Sequence, residues 1–190
     1  AGPPGAGKAT LVEGLEIQLN RAQLGRAAIL PMDGYHFDDR VLSARGLLLR
    51  KGAPETFDTG GLVAMLKRLR ENAEPEIAVP VFDRSIEIAR AGAAVIPQSV
   101  EIVLVEGNYL LLDAPHWRDL APLYDLTVLI RVSEVELRRR LTQRWAQQGL
   151  DGSETRAKVE GNDLPNGLLV LSQSAPADVT IDGSQLLSAA

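Results

Sequence analysis

Nothing limits the folds open to this chain more than its first ten residues, Ala1-Gly2-Pro3-Pro4-Gly5-Ala6-Gly7-Lys8-Ala9-Thr10. Gly2, Gly7 and Lys8 are spaced as in the Walker A pattern G-x-x-x-x-G-K-[ST], a loop that wraps backbone N–H groups around a nucleotide phosphate. Glycine serves where the backbone takes φ > 0 or approaches the ligand closely. Lys8 reaches the β- and γ-phosphates as a point charge, and the helix that follows turns its positive end to the anion. The expected nucleotide contacts are Gly2, Gly5, Ala6, Gly7, Lys8, Ala9 and Thr10. One position departs from the pattern. A hydroxyl that binds Mg²⁺ belongs directly after the lysine, and the chain has Ala9 there. Thr10 comes one place late and is expected to face an α-phosphate. A buried strand normally leads into such a loop, whereas only Ala1 precedes Gly2, so that first strand is expected to be missing from this sequence.

The 190 residues read as one domain, 1–190, large enough for a real core. A net charge of −5 with acids and bases interspersed argues against a nucleic-acid partner, which needs a concentrated basic surface. With no cysteine, disulfides and thiolate metal sites are excluded, and a reducing cytoplasm is compatible. No apolar run approaches the roughly 18–20 residues of a membrane span. The expectation is a cytoplasmic protein with no membrane partner; a homodimer is allowed.

Leu11, Leu15 and Leu19, with Val12, mark an amphipathic helix over residues 8–21. Residues 27–32 read as a short buried strand ending at Asp33, and 34–56 as loop or short helix. Leu62, Leu66 and Leu69 mark a second helix capped by Asp58 or Thr59. Residues 77–82 form a strand interrupted by Pro80, which places it near an edge. Residues 86–90 and 93–96 suggest a small hairpin around Ala91-Gly92. Residues 100–105 are nearly all apolar, the mark of a strand covered on both faces, and end at Glu106-Gly107. Another buried strand spans 126–132. Ser133-Glu134-Val135-Glu136 reads as a capping box opening a helix to about residue 148. Residues 149–167 are polar and rich in Gly, Asn and Asp, and 178–181 form a last strand. Strands alternating with helices predict a parallel α/β sheet.

Several side chains are placed for chemistry. In a parallel sheet the C-terminal ends of strands face the ligand. Asp33 stands at such an end and can take a proton from an attacking hydroxyl, or simply serve the turn before Gly34. Glu106 ends the most apolar strand, where an acid holds Mg²⁺ directly or through water; the plainer reading is a turn carboxylate. Arg138, Arg139, Arg140 and Arg144 lie on one helix, and Arg140 and Arg144 share a face. That pair can close over phosphates as a lid, or form a solvated basic face. Arg84, Glu87 and Arg90 suit either an acceptor or the polar side of a hairpin. His36 and His116 lack metal-ligand spacing, though His36 is near enough to Asp33 to touch substrate. Trp117 and Trp145 read as packing residues.

Four stretches together resemble the P-loop kinases of the uridine kinase, phosphoribulokinase and bacterial pantothenate kinase group. They are the loop Gly2–Lys8, Met32-Asp33-Gly34-Tyr35-His36, the stretch Arg50-Lys51-Gly52-Ala53-Pro54-Glu55-Thr56-Phe57-Asp58, and Val105-Glu106-Gly107-Asn108-Tyr109. The third is similar to the R-K-G-x-P-E-x-[YF]-D of pantothenate kinases and to the P-x-A-F-D of uridine kinases, in which the Asp contacts the acceptor; Asp58 is the matching position. Pro80-Val81-Phe82-Asp83 resembles the P-x-Y-D of uridine kinases with Phe82 in place of Tyr, and Glu87 stands where those enzymes carry a nucleoside-binding His. The chain as a whole looks most like short bacterial nucleoside kinase-like or fructose-transport-associated, fructokinase-like kinases.

The resemblance implies an α/β, P-loop NTPase-type three-layer fold with a parallel sheet and a helical lid over about 138–167. It implies ATP and Mg²⁺ as cofactors and a small-molecule acceptor: a sugar such as fructose first, pantothenate or a nucleoside second. In that scheme Asp33 is the base, Lys8 and Arg140 or Arg144 stabilise charge, and Glu106 holds the metal. His36, Asp58, Arg84 and Glu87 then bind the acceptor. The rival from another class is a nucleotide-binding regulatory protein with little turnover, supported by Ala9.

Overall fold

A computed structural model describes residues 1–184 and 186. It divides into two compact units. One comprises Ala1–Lys8, Gly52–Pro54 and the chain from Asn108 on; the other comprises Ala9–Lys51 and Glu55–Gly107.

The second unit begins one residue into helix α1 (Lys8–Ala22), followed by strand β1 (Ala27–Pro31). Asn20 joins them, its amide donating to Ala27 O and accepting from Ala27 N at 3.1 and 2.8 Å. The predicted helix is present, but its apolar side is incomplete: no α1 residue is buried, and Leu15 and Ile17 are exposed. Helix α2 (Asp39–Ala44) starts on the Asp38 cap, and α3 (Thr59–Glu71) on Asp58, whose carboxylate accepts the Gly61 N–H. α3 buries Leu62 and Leu66 and ends at Asn72, which takes the left-handed conformation common at helix C-termini.

Strands β2 (Glu76–Asp83) and β3 (Ile88–Pro97) pair antiparallel. This corrects the expected hairpin around Ala91-Gly92. β3 runs through that dipeptide, and the turn lies at residues 84–87, with Glu87 at φ 55°. The reason is Pro80. It has no N–H for the ladder, and the register shifts between Val79 and Val81, opposite three β3 residues that include Gly92 at φ 64°. That is a bulge, not a turn. Strand β4 (Ile102–Glu106) pairs parallel with β1, Pro31 opposite Glu106, and is half-buried along its length rather than fully covered.

In the first unit, β5 (Val128–Arg131) pairs parallel with β6 (Val179–Asp182). Ala1 joins the same ladder: its N–H donates to Val128 O at 2.7 Å, and its carbonyl accepts from Ile130 N at 2.9 Å. Helix α4 (Glu134–Gln147) starts on Ser133, whose hydroxyl accepts the Glu136 N–H. The Glu136 carboxylate binds Arg139 and Arg140, two cations on its own helix face. The reciprocal capping box lies at Asp151 and Glu154 instead. It opens α5 (Gly152–Lys158), which runs through a π-turn (Val159–Asp163) into α6 (Leu164–Gln173). Residues 149–167 are thus mostly helical. Their apolar residues supply Val159 and Leu164 to a core with Leu137 and Leu141 of α4, against which Trp145, Leu168 and Leu171 pack.

Candidate active site

Each unit carries its own set of chemistry-bearing residues. In the first, the loop 2–8 adopts the conformation that its glycines predict. Gly5 and Gly7 have φ of 78° and 93°, a region that residues with a Cβ rarely enter. Gly2 lies so close to β5 that a Cβ would stand 2.9 Å from Ile130 O. Ala6 is buried, and its N–H closes a turn on Pro3 O at 3.1 Å. Lys8 opens α1, and no acidic residue lies in that helix's first turn to compete for an anion. The Lys8 ammonium donates to Asn108 Oδ1 at 2.6 Å and Pro3 O at 3.1 Å. Both acceptors are neutral, so a phosphate oxygen offers the cation a stronger partner.

Arg140 and Arg144 have separate surroundings. Arg140 is buried and donates to Glu136 Oε1 at 2.7 Å, Gly183 O at 2.9 Å and, at the long limit of 3.4 Å, Gly5 O. It ties α4 to the phosphate loop and to the turn after β6. Glu136, clasped by two arginines, is pulled down to about 2 by those hydrogen bonds and stays ionised. Arg144 lies over the ring of Trp145, 5.7 Å from its centroid, and Lys158 lies over the same ring at 5.5 Å. Trp145 Nε1 donates to Asp163 Oδ2 at 2.7 Å. Burial pushes the Asp163 carboxyl up against the opposing effects of Trp145, Arg144 and Lys158.

In the second unit, the parallel register sets Pro31 of β1 opposite Glu106 of β4. Asp33, two residues on, and Glu106 therefore emerge at the same C-terminal edge, the edge where open α/β sheets bind ligands. Asp33 is the second residue of the short 3-10 turn Met32–Tyr35. Its carbonyl accepts from His36 N at 3.3 Å and His36 Nδ1 at 2.8 Å. A carbonyl only accepts, so Nδ1 carries the proton and Nε2 presents a lone pair. The His36 ring lies 4.0 Å from that of Phe57 and 4.7 Å from that of Phe82. Burial in this aromatic setting lowers its pKa, outweighing Asp33, so it is neutral near pH 7. Arg84 Nη2 donates to Asp33 Oδ2 at 2.7 Å. Lys51 donates to Asp39 Oδ1 at 2.5 Å and Glu87 O at 2.6 Å, 5.5 Å from the Phe82 ring centroid.

Asp33, His36 and Arg84 are thus brought together. Glu87 contributes its carbonyl, with an exposed side chain. Asp58 caps α3 and raises the buried Tyr35 phenol, an effect second to burial itself. Ala9 and Thr10 are exposed on α1. Trp117 is buried against Tyr109, ring centroids 5.3 Å apart, as a packing residue should be. Two site residues escaped the sequence reading, Asn108 beside Lys8 and Lys51 beside Phe82. Both sit inside the motif stretches, but an amide or a lysine in a loop has no periodicity to reveal its partner.

No protein-family model matches the chain. It is 35% identical over 181 residues to the uncharacterized protein YggC of Escherichia coli K12, covering 95% of this chain and 74% of that one. It is 30% identical over 193 residues to a Schizosaccharomyces pombe protein provisionally named uridine kinase C227.14, covering 98% and 82%. A crystal structure from Silicibacter sp. TM1040, provisionally named a fructose transport system kinase, matches with a TM-score of 0.89 at 43% identity, covering 95% and 86%.

Proposed function

The chain belongs to the P-loop kinases of the uridine kinase and pantothenate kinase group, and from that premise we propose that it moves the γ-phosphoryl group of ATP to a hydroxyl of a sugar such as fructose. The observation that carries the reading is the register of β1 and β4, which brings Asp33 and Glu106 to one strand-end edge. The choice of a sugar is supported by the fructose transport system in the name of the Silicibacter relative and by Glu87 at the position of a nucleoside-binding His. Pantothenate is the second choice, on the strength of the Arg50–Asp58 stretch.

The loop 2–8 holds the nucleotide phosphates through backbone N–H groups, and Lys8 exchanges Asn108 and Pro3 for phosphate oxygens. Asp33 accepts the acceptor's hydroxyl proton as that oxygen bonds to the γ-phosphorus. The bond from the γ-phosphorus to the β–γ bridging oxygen breaks, and ADP leaves. His36 Nε2 accepts from a second acceptor hydroxyl, while Asp58 and Glu87 line the acceptor side. Arg144 neutralises transferring charge from α4.

The residues fit Mg²⁺ in part. Among the described residues no group of three or more His, Asp or Glu could hold an ion, but Mg²⁺ needs only one or two carboxylates beside phosphates and water. Glu106 fits that role; the Ala9 methyl does not. Bound Mg²⁺ supplies neutralisation of the β- and γ-phosphate charge. Ala9, which lacks the hydroxyl of the loop pattern, favours a second reading, a nucleotide sensor with little turnover.

The test is ADP release from Mg-ATP with a panel of sugars, nucleosides and pantothenate, with D33N in parallel. Turnover with a sugar, lost in D33N, is expected. Nucleotide binding without turnover on any acceptor supports the sensor instead.

A further inference from the structure

We infer that Arg84 is the positioning residue of the Asp33 carboxylate, holding one oxygen so that the other faces the acceptor hydroxyl; this rests on the proposed role of Asp33 as base. The sequence places Arg84 with the acceptor or on the polar side of a hairpin. The geometry assigns it to the base, through a charge-assisted bond from Nη2 to Oδ2 of 2.7 Å.

Both partners are anchored through their backbones. Arg84 is the first residue past β2. The turn that carries it is fixed by Asp83, whose Oδ1 accepts from Ser85 N at 3.1 Å and Ser85 Oγ at 2.6 Å. Arg90 holds the other Asp83 oxygen at 3.0 Å. The Arg84 guanidinium lies over Phe82, 5.7 Å from the ring centroid. On the other side, the Asp33 carbonyl is held by His36 N and Nδ1. Gly34 packs so tightly on β2 that a Cβ would stand 2.4 Å from Pro80 O.

The Asp33 main chain is therefore fixed, while its carboxylate keeps two side-chain torsions. One strong bond to an anchored guanidinium selects a rotamer and an oxygen. A general base acts only when its lone pair points at the proton it takes. The pair cannot be explained by stability, because the Arg84 side chain is 60% exposed and exposed ion pairs contribute little to folding.

The test uses the full chain as R84A, R84K and D33N. Three-bond couplings to the Asp33 carboxyl carbon in isotope-labelled protein report its χ1 rotamer and need no acceptor. One rotamer is expected in the wild type, rotamer averaging in R84A and partial restoration in R84K, with melting temperature unchanged throughout. With Mg-ATP and D-fructose as probe, R84A should lose about tenfold in kcat with the fructose KM within about twofold, and added guanidinium should return part of the loss. Asp33 remaining in one rotamer in R84A overturns the inference, as does a raised KM at unchanged kcat, the signature of an acceptor ligand. Full turnover in D33N defeats the base assignment itself, a separate failure. Where fructose is not turned over, the couplings decide.

Discussion

Arg140→Met removes a cation whose side chain is 6% exposed and separates two roles that this arginine could have. As a lid residue it would act on the transferring phosphoryl group, and its loss would slow turnover with the fold intact. As an anchor it would hold the phosphate loop, and its loss would cost stability and nucleotide affinity before any chemistry. The contacts favour the anchor. The substitution leaves Gly183 O without its 2.9 Å donor and breaks the 2.7 Å bond to Glu136. Glu136 keeps Arg139 at 2.7 Å, so it is not stranded, and the 3.4 Å bond to Gly5 O, the link to the loop, is the weakest of the three. Two hydrogen bonds from a charged donor are lost, together about 3 kcal/mol, while Gly183 O keeps the Leu186 N–H at 3.3 Å. For a chain of this length that is a fall of about 6–12 °C in melting temperature. Calorimetric or circular-dichroism melting, with and without ADP, reads it directly, and the stabilisation conferred by ADP should shrink as well. The control is R144Q, which should melt as the wild type and lose turnover. A melting temperature in R140M within about 2 °C of wild type, with turnover abolished, would refute the anchor and return Arg140 to the lid.

Three further outcomes follow from the same structure. Asp163→Asn keeps an oxygen for Trp145 Nε1 and removes a buried charge. Burial raises the folded carboxyl above its unfolded value of 3.8, so the wild-type penalty grows as pH rises through that range; the variant should melt higher at pH 7 and lose the advantage near pH 3, and an equal gain at both would show that charge is not the cause. For His36, whose folded pKa lies below 6.5, the unfolded chain takes up a proton that the folded one refuses, so stability falls as pH drops through about 6.5. His36→Gln should flatten that segment of a urea-denaturation series taken at several pH values, and an unchanged slope would place the titration elsewhere. Ala9→Ser restores the missing hydroxyl and should lower the Mg²⁺ concentration for half-maximal turnover; an unaltered Mg²⁺ response would show that position 9 does not face the metal.

Local physics was legible in the sequence wherever a few residues decide a conformation. Gly5 and Gly7 reached positive φ because the loop pattern requires it, α3 starts at Asp58, and the β1 and β4 strands end where their apolar runs end. The hairpin was misread because Gly92 looks like a turn from within its own segment. Only the pairing of β3 with β2 shows it to be a bulge opposite Pro80, which cannot donate to the ladder. Glu136 was read as a cap by spacing, whereas two arginines on its own helix face outcompete a single backbone N–H. Residues 149–167 read only as polar and rich in Gly, Asn and Asp, yet Val159 and Leu164 suffice for a core once α4 offers Leu137 and Leu141 to pack against. By itself the sequence determined that the chain carries a phosphate-binding loop, a carboxylate after its first strand, and the element order of an α/β kinase, since each depends on residues within one short stretch. Tertiary structure alone decided that Asn108 receives Lys8, that Arg140 is buried against the loop, and that Arg84 grips Asp33 across 51 positions, because a long polar side chain finds its partner only after distant backbones have been brought into place.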